Sequence, residues 1–509
     1  MKTIRIDVFS HNVKVYGFSY RGKEALLDYC RGMAQYGLSK VAHNRFVRVM
    51  LRVFAASTAD RSEFRFQKSQ LEDLLRHLNF HGFTSTEIEI NVREVLPGVP
   101  ADMRMHKHIL LRDYQVPIVE FLVFPAPVKV VTLQTGKGKT LCALKACAEI
   151  GKRTFLVIKG MYVEKWVSDV REAYQLKAGE LIVVRGSAQL KDLMALAEAG
   201  ELDCKFIICT NKTLYNYLED YEKFKKDITT LGFPFMPEEF FEKLGVGVRL
   251  IDEVHQDFHL NFRLDLYTNV ETTINLSATL ESDDPFMNRM YEVAFPMKSR
   301  FQGAVYDKYI AVKALVYAMN NPNKIRWKAK GRGSYSHIMF EESLMKDKAL
   351  LARYLEMITI VVENSYIVKR EDGQKMLIFA ASVQLCGIIA EHLASKWPSL
   401  AINRYVSEDN YEVLLSSDIA VSTLKSAGTA VDIPGLMICL MTDALGSKQG
   451  NSQALGRLRV LKDWPGITPE FLYLVCRDIP KHIEYHERKV ENFSDKVLSH
   501  KTLTMNYRL

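Results

Sequence analysis

Polar and apolar residues alternate through the first eighteen positions, MKTIRIDVFSHNVKVYGF, with no uninterrupted apolar run of the kind a signal peptide needs. The pattern changes at Val128–Leu133, an apolar, β-branched run that predicts a buried strand. A turn, Gly136-Lys137-Gly138-Lys139-Thr140, follows, and then apolar residues recur at helical spacing toward Ile150. A second short apolar run, Val248–Ile251, stops at Asp252-Glu253-Val254-His255. Farther on, Lys375–Ala380 predicts a strand and the residues up to Leu393 a helix, while Ile479–Val497 predicts a charged helical tail. Two basic stretches carry periodicity of their own. Arg45, Arg48 and Arg52 fall at i, i+3 and i+7, the spacing of one helix face. Lys324, Arg326, Lys328 and Lys330 alternate with Ile325, Trp327 and Ala329, which predicts a strand with one cationic face, turned into a hairpin by Gly331-Arg332-Gly333. Tyr221–Gly247 is too apolar for a disordered linker and reads as a packed insertion.

Composition narrows this picture. At 509 residues the chain exceeds one compact core, so two to four domains are expected. Hydrophobic content of 48% and charged content of 25% fit an ordinary globular protein, and no stretch approaches the length of a membrane span. A cytoplasmic protein without membrane association is therefore expected. The eight cysteines are scattered, with no C-x-x-C pair and no histidines at zinc spacing beside them, so no structural zinc is expected.

The net charge of +8 suits a polyanionic partner. Residues 1–60 hold ten Lys/Arg against four acids, and Lys308–Phe340 holds seven Lys/Arg and no acid. The 45–52 stretch lacks acids that would pair at i,i+4, which leaves a phosphate-binding face as its reading. The 324–330 ribbon is expected to contact duplex near a fork.

The glycine-bearing turn supplies the chemistry. Glycines let successive N–H groups point inward at phosphate oxygens, and the following helix N-terminus adds positive potential. Lys139 is positioned to neutralise phosphates and the Thr140 hydroxyl to ligate Mg²⁺. The first glycine of G-x-x-x-x-G-K-[ST] is here Leu133. Carboxylates at a strand's C-terminal edge sit where ligands bind in parallel α/β sheets. Asp252 is thus expected to hold Mg²⁺ and Glu253 to polarise the attacking water.

With these motifs in order, the chain resembles a superfamily 2 helicase of the DExH type. Leu111-Arg112-Asp113-Tyr114-Gln115 is similar to the family's adenine-reading element, with Arg112 and Gln115 implied in nucleotide binding. Phe155–Lys159 with Trp166, and Ile207–Asn211, resemble segments that touch the nucleic-acid strand, which implies contacts from Lys159 and Thr210. Ser277-Ala278-Thr279 resembles the coupling triplet, acting with His255. Val421–Pro434 resembles the loop that meets both ATP and nucleic acid, which implies roles for Thr423, Gly428 and Asp432. Gln453-Ala-Leu-Gly-Arg457-Leu-Arg459 resembles the arginine-finger helix. The family usually places its second arginine seven residues after the glutamine; here that position is Val460 and the arginine is Arg459, so Arg457 is expected to carry the role.

The resemblance implies an α/β fold: a small N-terminal α/β domain (1–103), two RecA-like parallel-sheet lobes (104–300 and 301–475) and a short helical C-terminal tail (476–509). The phosphate loop from Thr135 through Gly136, Lys137, Gly138, Lys139 and Thr140 would hold ATP. Within the family the resemblance is to phage branch-migration and recombination helicases, the UvsW-like group. It implies a monomeric ATP-dependent DNA helicase or translocase acting on branched, forked or duplex DNA, with a single strand in the lobe groove. A recombinase or single-strand-binding protein is the implied protein partner. A duplex translocase that separates no strands, an RNA helicase and an inactive branched-DNA scaffold stand as alternatives.

Overall fold

The computed structural model describes residues 4–40, 46–134, 136–223, 228–303, 307–328, 335–406, 409–427 and 432–509. Arg45, Thr135, Gly428 and Lys330 lie outside the described residues. The chain forms two compact units, residues 1–304 and 305–509, with loop segments 134–136 and 281–283 grouped with the second.

The first unit opens with β1 (Ile4–Val8), β2 (Asn12–Tyr16), β3 (Ala34–Lys40), β4 (Phe46–Val53), β5 (Ala56–Ser57), β6 (Glu63–Gln67) and β7 (Ile88–Val92). Five of them make a mixed sheet in the order β5-β6-β2-β1-β7, with β1 and β7 parallel. Buried Leu26, Leu74 and Leu78 from helices Tyr20–Gly32 and Leu71–Phe80 share its core with Phe64 and Phe66. This sheet is held against the following lobe by polar anchors. Asn12 Nδ2 donates to Asp265 O (3.1 Å) and Thr268 O (3.0 Å), and Arg65 donates to Leu266 O (3.2 Å). Phe54 packs among Phe258, Phe262 and Phe286.

The remaining two strands, β3 and β4, pair as an antiparallel ribbon, so the arginine stretch is a strand and the expected helix is absent. A spacing of four residues is compatible with both periods, and the β-branched residues Val47, Val49 and Val53 settle it toward a strand. Arg48 faces Leu38, Met50 faces Tyr36 and Arg52 faces Gln35, which leaves Leu51 as an extra residue. Paired residues share a face, so this bulge puts Arg48 and Arg52 on opposite faces of the ribbon.

The lobe that follows is built on β8 (Val128–Thr132), β9 (Thr154–Ile158), β10 (Leu181–Val184), β11 (Phe206–Thr210), β12 (Val248–Ile251) and β13 (Thr272–Ser277). They form one parallel sheet, ordered β10-β11-β9-β12-β13-β8. β9 and β11 are almost wholly apolar, as burial on both faces favours, while β8 and β12 bury Lys129 and Arg249 among apolar neighbours. The described residues of the 221–247 segment are packed as expected: Ile228, Phe233, Phe235, Phe240 and Phe241 are buried, and the last two make edge contacts with Phe155.

The second unit carries β14 (Ala311–Ala318), β15 (Lys375–Ala380), β16 (Ile402–Tyr405), β17 (Ile419–Thr423), β18 (Leu436–Met441), β19 (Glu470–Cys476) and β20 (Ser499–Arg508). These make a second all-parallel sheet, ordered β16-β17-β15-β18-β19-β14-β20. The two parallel-sheet lobes give the expected α/β class. The C-terminal tail is only partly helical: after helix Pro480–Phe493 the chain enters the sheet as the edge strand β20, beside β14. The β-branched and aromatic residues Thr502, Thr504 and Tyr507 favour that strand, a signal masked by the charged helix before it.

Residues 324–328 do not form a regular strand, and Ala329, Lys330 and the Gly331-Arg332-Gly333 turn lie outside the described residues. Pro322–Lys324 forms a 3-10 turn and Lys328 makes a single antiparallel bridge to Tyr335. The alternation itself survives, because Ile325 is buried while Lys324, Arg326 and Lys328 are exposed. Asn321-Pro322 starts the turn, since proline presets the local dihedral and the Asn321 side chain accepts from Asn323 N.

Candidate functional site

The order of the parallel sheet explains how distant residues meet. β13 lies between β12 and β8, with Ser277 opposite Thr132 and Asn275 opposite Ile251. The segments leaving β8, β12 and β13 therefore emerge side by side at the C-terminal edge of the sheet, where ligands bind in such folds. After β8 the chain turns through Gly136 (φ +87°) and Gly138 (φ +78°) into helix Lys139–Ile150. Both dihedrals lie in the left-handed region, which glycine enters without steric cost. A Cβ on Gly138 would stand 2.3 Å from Gln115 Nε2.

Lys139 is nearly buried, with Nζ 3.4 Å from Leu133 O and 3.7 Å from Glu253 Oε1. Thr140 is the second residue of the same helix. Glu253 has a left-handed backbone (φ +48°), unusual for a residue with a side chain, directly after β12. Its other oxygen is 3.4 Å from His255 Nδ1. Asp252 accepts from its neighbour's backbone, Glu253 N, at 2.9 Å and from the Trp166 indole N–H at 3.0 Å. Burial, reinforced by the adjacent Glu253 and opposed by Lys139, pushes the Asp252 carboxyl up to about 6.

His255 and Ser277 meet at 2.7 Å. The Ser277 hydroxyl donates to Thr279 O at 2.5 Å, so its oxygen is left to accept from His255 Nδ1–H. Burial lowers His255 to about 4, against the pull of Glu253, so the ring is neutral at neutral pH. Neutral hydrogen bonds thus join the acidic box to the triplet after β13.

Gln115 is also drawn into this edge. Its Oε1 accepts from Arg112 N (2.9 Å) and its Nε2 donates to Lys137 O (3.0 Å), so the glutamine braces the phosphate loop. Tyr114 adds a 3.4 Å hydroxyl contact to the same carbonyl and lies 5.0 Å beneath the Lys137 ammonium. Lys159, after β9, is 3.6 Å from Asp257, which also accepts from Asn211. The Thr210 hydroxyl is turned inward onto Thr213 at 2.7 Å, and Thr210 is buried.

Trp166, Asp257 and Tyr114 were not singled out for these contacts by the sequence. The separation of 86 positions from Trp166 to Asp252 leaves no spacing signal, and a buried tryptophan in a helix reads as ordinary core.

In the second unit, helix Lys448–Leu455 ends at Gly456, before either arginine, so Arg457 and Arg459 lie in the turn beyond it. Arg457 is buried, with Nε 3.4 Å from Gln453 O. Arg459 is 3.7 Å from Asp432 and also bonds Gly456 O. Thr423, at the end of β17, shares a 2.9 Å contact with Ser426.

Residues 108–282 match the family model described as type III restriction enzyme, res subunit. That match covers the phosphate loop, the acidic box and the triplet, and it supports a helicase-like superfamily 2 motor lobe. It does not reach the branch-migration subgroup. Among solved structures, the chain is similar to a fragment of a putative HsdR subunit of a type I restriction enzyme from Vibrio vulnificus YJ016, at 13% identity and a TM-score of 0.49, covering 95% of this chain and 82% of that one. No curated protein sequence matches the chain. Among the described residues, no helix is long and apolar enough to cross a membrane.

Proposed function

We propose that the chain is an ATP-driven DNA motor that unwinds or branch-migrates duplex and branched DNA. One observation carries this reading: Lys139, Asp252 and Glu253 share one edge of a parallel sheet, and His255 links them to Ser277. The donor set fits Mg²⁺-ATP, since a partly buried carboxylate held by neutral donors feels the charge of Lys139, and Thr140 follows that lysine in the first turn of the helix. Thr140 and Asp252 would hold the ion, which supplies charge neutralisation, and the loop around Gly136–Thr140 would hold the nucleotide.

The chain's own residues do the rest. Lys139 exchanges its contact with Glu253 for phosphate oxygen, which frees that carboxylate to take a proton from water. Neutral His255 passes a change at Glu253 to Ser277 through hydrogen bonds rather than charge. Gln115 holds the loop and keeps further valence for the base edge. Arg457, with Arg459, Gln453 and Asp432 in support, contributes the guanidinium that stabilises spreading phosphoryl charge. Lys159, Arg48, Arg52, Lys324, Arg326 and Lys328 grip the DNA backbone. Thr210 and Thr423, whose hydroxyls are taken up internally, act less directly.

The match to a restriction-enzyme motor family favours a second reading, translocation along duplex without strand separation. The deciding experiment compares hydrolysis with single-stranded, duplex, forked and four-way DNA and with RNA, alongside strand-displacement and triplex-displacement assays. DNA-stimulated hydrolysis that is lost in Lys139→Ala and Glu253→Gln supports the motor; equal residual turnover in both variants overturns it. Triplex displacement without strand displacement selects the translocase.

A further inference from the structure

The N-terminal domain holds a cluster outside the site described above. Asp28 extends from helix Tyr20–Gly32, and His77 and His81 stand one turn apart at the end of helix Leu71–Phe80. His81 Nε2 is 3.7 Å and His77 Nε2 3.9 Å from the same oxygen, Asp28 Oδ2, and the two rings are 4.5 Å apart. Among the described residues, these three are the group whose candidate ligand atoms all lie within 4.8 Å of one another. A second observation points the same way: His81 Nε2 is buried and has no hydrogen-bond partner, although the residue is only partly covered. The other Asp28 oxygen is 3.2 Å from Arg31, which fixes the carboxylate, while His77 Nε2 also lies 2.9 Å from Ala25 O.

We propose that Asp28, His77 and His81 form a binding site for a zinc-type divalent transition-metal ion that clamps the two helices together. The two imidazole nitrogens converge on the Asp28 carboxylate at distances beyond a hydrogen bond. One divalent ion satisfies both nitrogens and the oxygen at once. Tetrahedral bonds of about 2.0–2.1 Å put ligand atoms about 3.3 Å apart, so the two nitrogen–oxygen distances of 3.7 and 3.9 Å must each shorten by about half an ångström. Two nitrogens and one oxygen suit zinc, nickel or copper rather than all-oxygen ions such as Mg²⁺ or Ca²⁺. Partial exposure of Asp28 leaves the fourth position to water. Binding displaces the proton that His77 Nε2 directs at Ala25 O.

The test uses full-length, chelator-treated protein titrated with Zn²⁺ against a chromophoric chelator, with Co²⁺ absorption as a second readout. The expected result is one equivalent bound, a tetrahedral Co²⁺ spectrum and a higher thermal midpoint with metal. His81→Gln and Asp28→Asn should each weaken binding at least tenfold and remove the midpoint shift, with unchanged far-ultraviolet circular dichroism. A His106→Gln, His108→Gln double variant, which alters a histidine pair in another segment, should bind as the wild type does. Absence of a stoichiometric site in the wild type, or binding that persists in both cluster variants, overturns the proposal.

Discussion

Trp166 shows how much of the candidate site rests on residues that touch no phosphate. Its indole N–H is a side-chain donor bonded to Asp252, so Trp166→Phe keeps most of the packing and removes the hydrogen bond. A hydrogen bond to a charged group is worth about 1.5–3 kcal/mol, so turnover is expected to fall roughly tenfold or more. The Mg²⁺ concentration needed for half-maximal hydrolysis should also rise, and an unchanged Mg²⁺ curve would refute the assignment. Asp252 itself yields a prediction in pH. Its folded value of about 6 lies above the ordinary 3.8, so the folded chain binds the extra proton between those values. Burying the ionised carboxylate therefore costs stability above about pH 6, and the cost fades as pH falls toward 4. Asp252→Asn should abolish hydrolysis yet stabilise the nucleotide-free protein by roughly 1–3 kcal/mol at pH 8. Thermal melts at pH 8 and pH 5 check this; a gain that grows on acidification has the wrong sign.

At the scale of elements, the phosphate loop is set by a backbone that only glycine tolerates and by a glutamine from another segment. Gly138→Ala puts a side chain at φ +78° and onto the Gln115 amide. The left-handed conformation alone costs about 1–2 kcal/mol, and the contact adds to it. Nucleotide binding, measured with a fluorescent analogue, is expected to be lost while circular dichroism stays unchanged, because the loop lies outside both the sheet and the helix core. Wild-type affinity in this variant would show that the loop moves freely of Gln115. The β3–β4 ribbon makes a related point. One bulged residue, Leu51, separates Arg48 from Arg52, and Arg48 stacks 4.2 Å over Tyr36 on its own face.

For the whole molecule, the excess of cations resolves into exposed groups on separate elements of the two units, Arg48 and Arg52 in the first and Lys324, Arg326 and Lys328 in the second. Charge reversal at Arg326 and Lys328 should weaken DNA binding and spare nucleotide binding. Each lost phosphate contact should flatten the slope of log affinity against log salt by about one. Fluorescence anisotropy across a salt series measures both quantities, and unchanged affinity at every salt concentration would remove this stretch from the DNA interface.

Sequence alone determined the central motif pair, which depends on local signals, and the resemblance that the motifs carry implied the two parallel-sheet lobes. β8 and β15 are mostly apolar runs, each with one lysine, and Gly136–Thr140 carries its own turn chemistry. Only the tertiary structure decided the features set by partners far away in the chain. The Arg48–Arg52 spacing fits helix and strand alike, and pairing with β3 selects the strand. The tail's last segment becomes β20 because β14 offers it an edge. Strand order, which no local period encodes, brings Lys139 to Glu253 and His255 to Ser277. Asp252's perturbed carboxyl and its Trp166 partner arise from burial and contact across 86 residues, so they exist only in the folded chain.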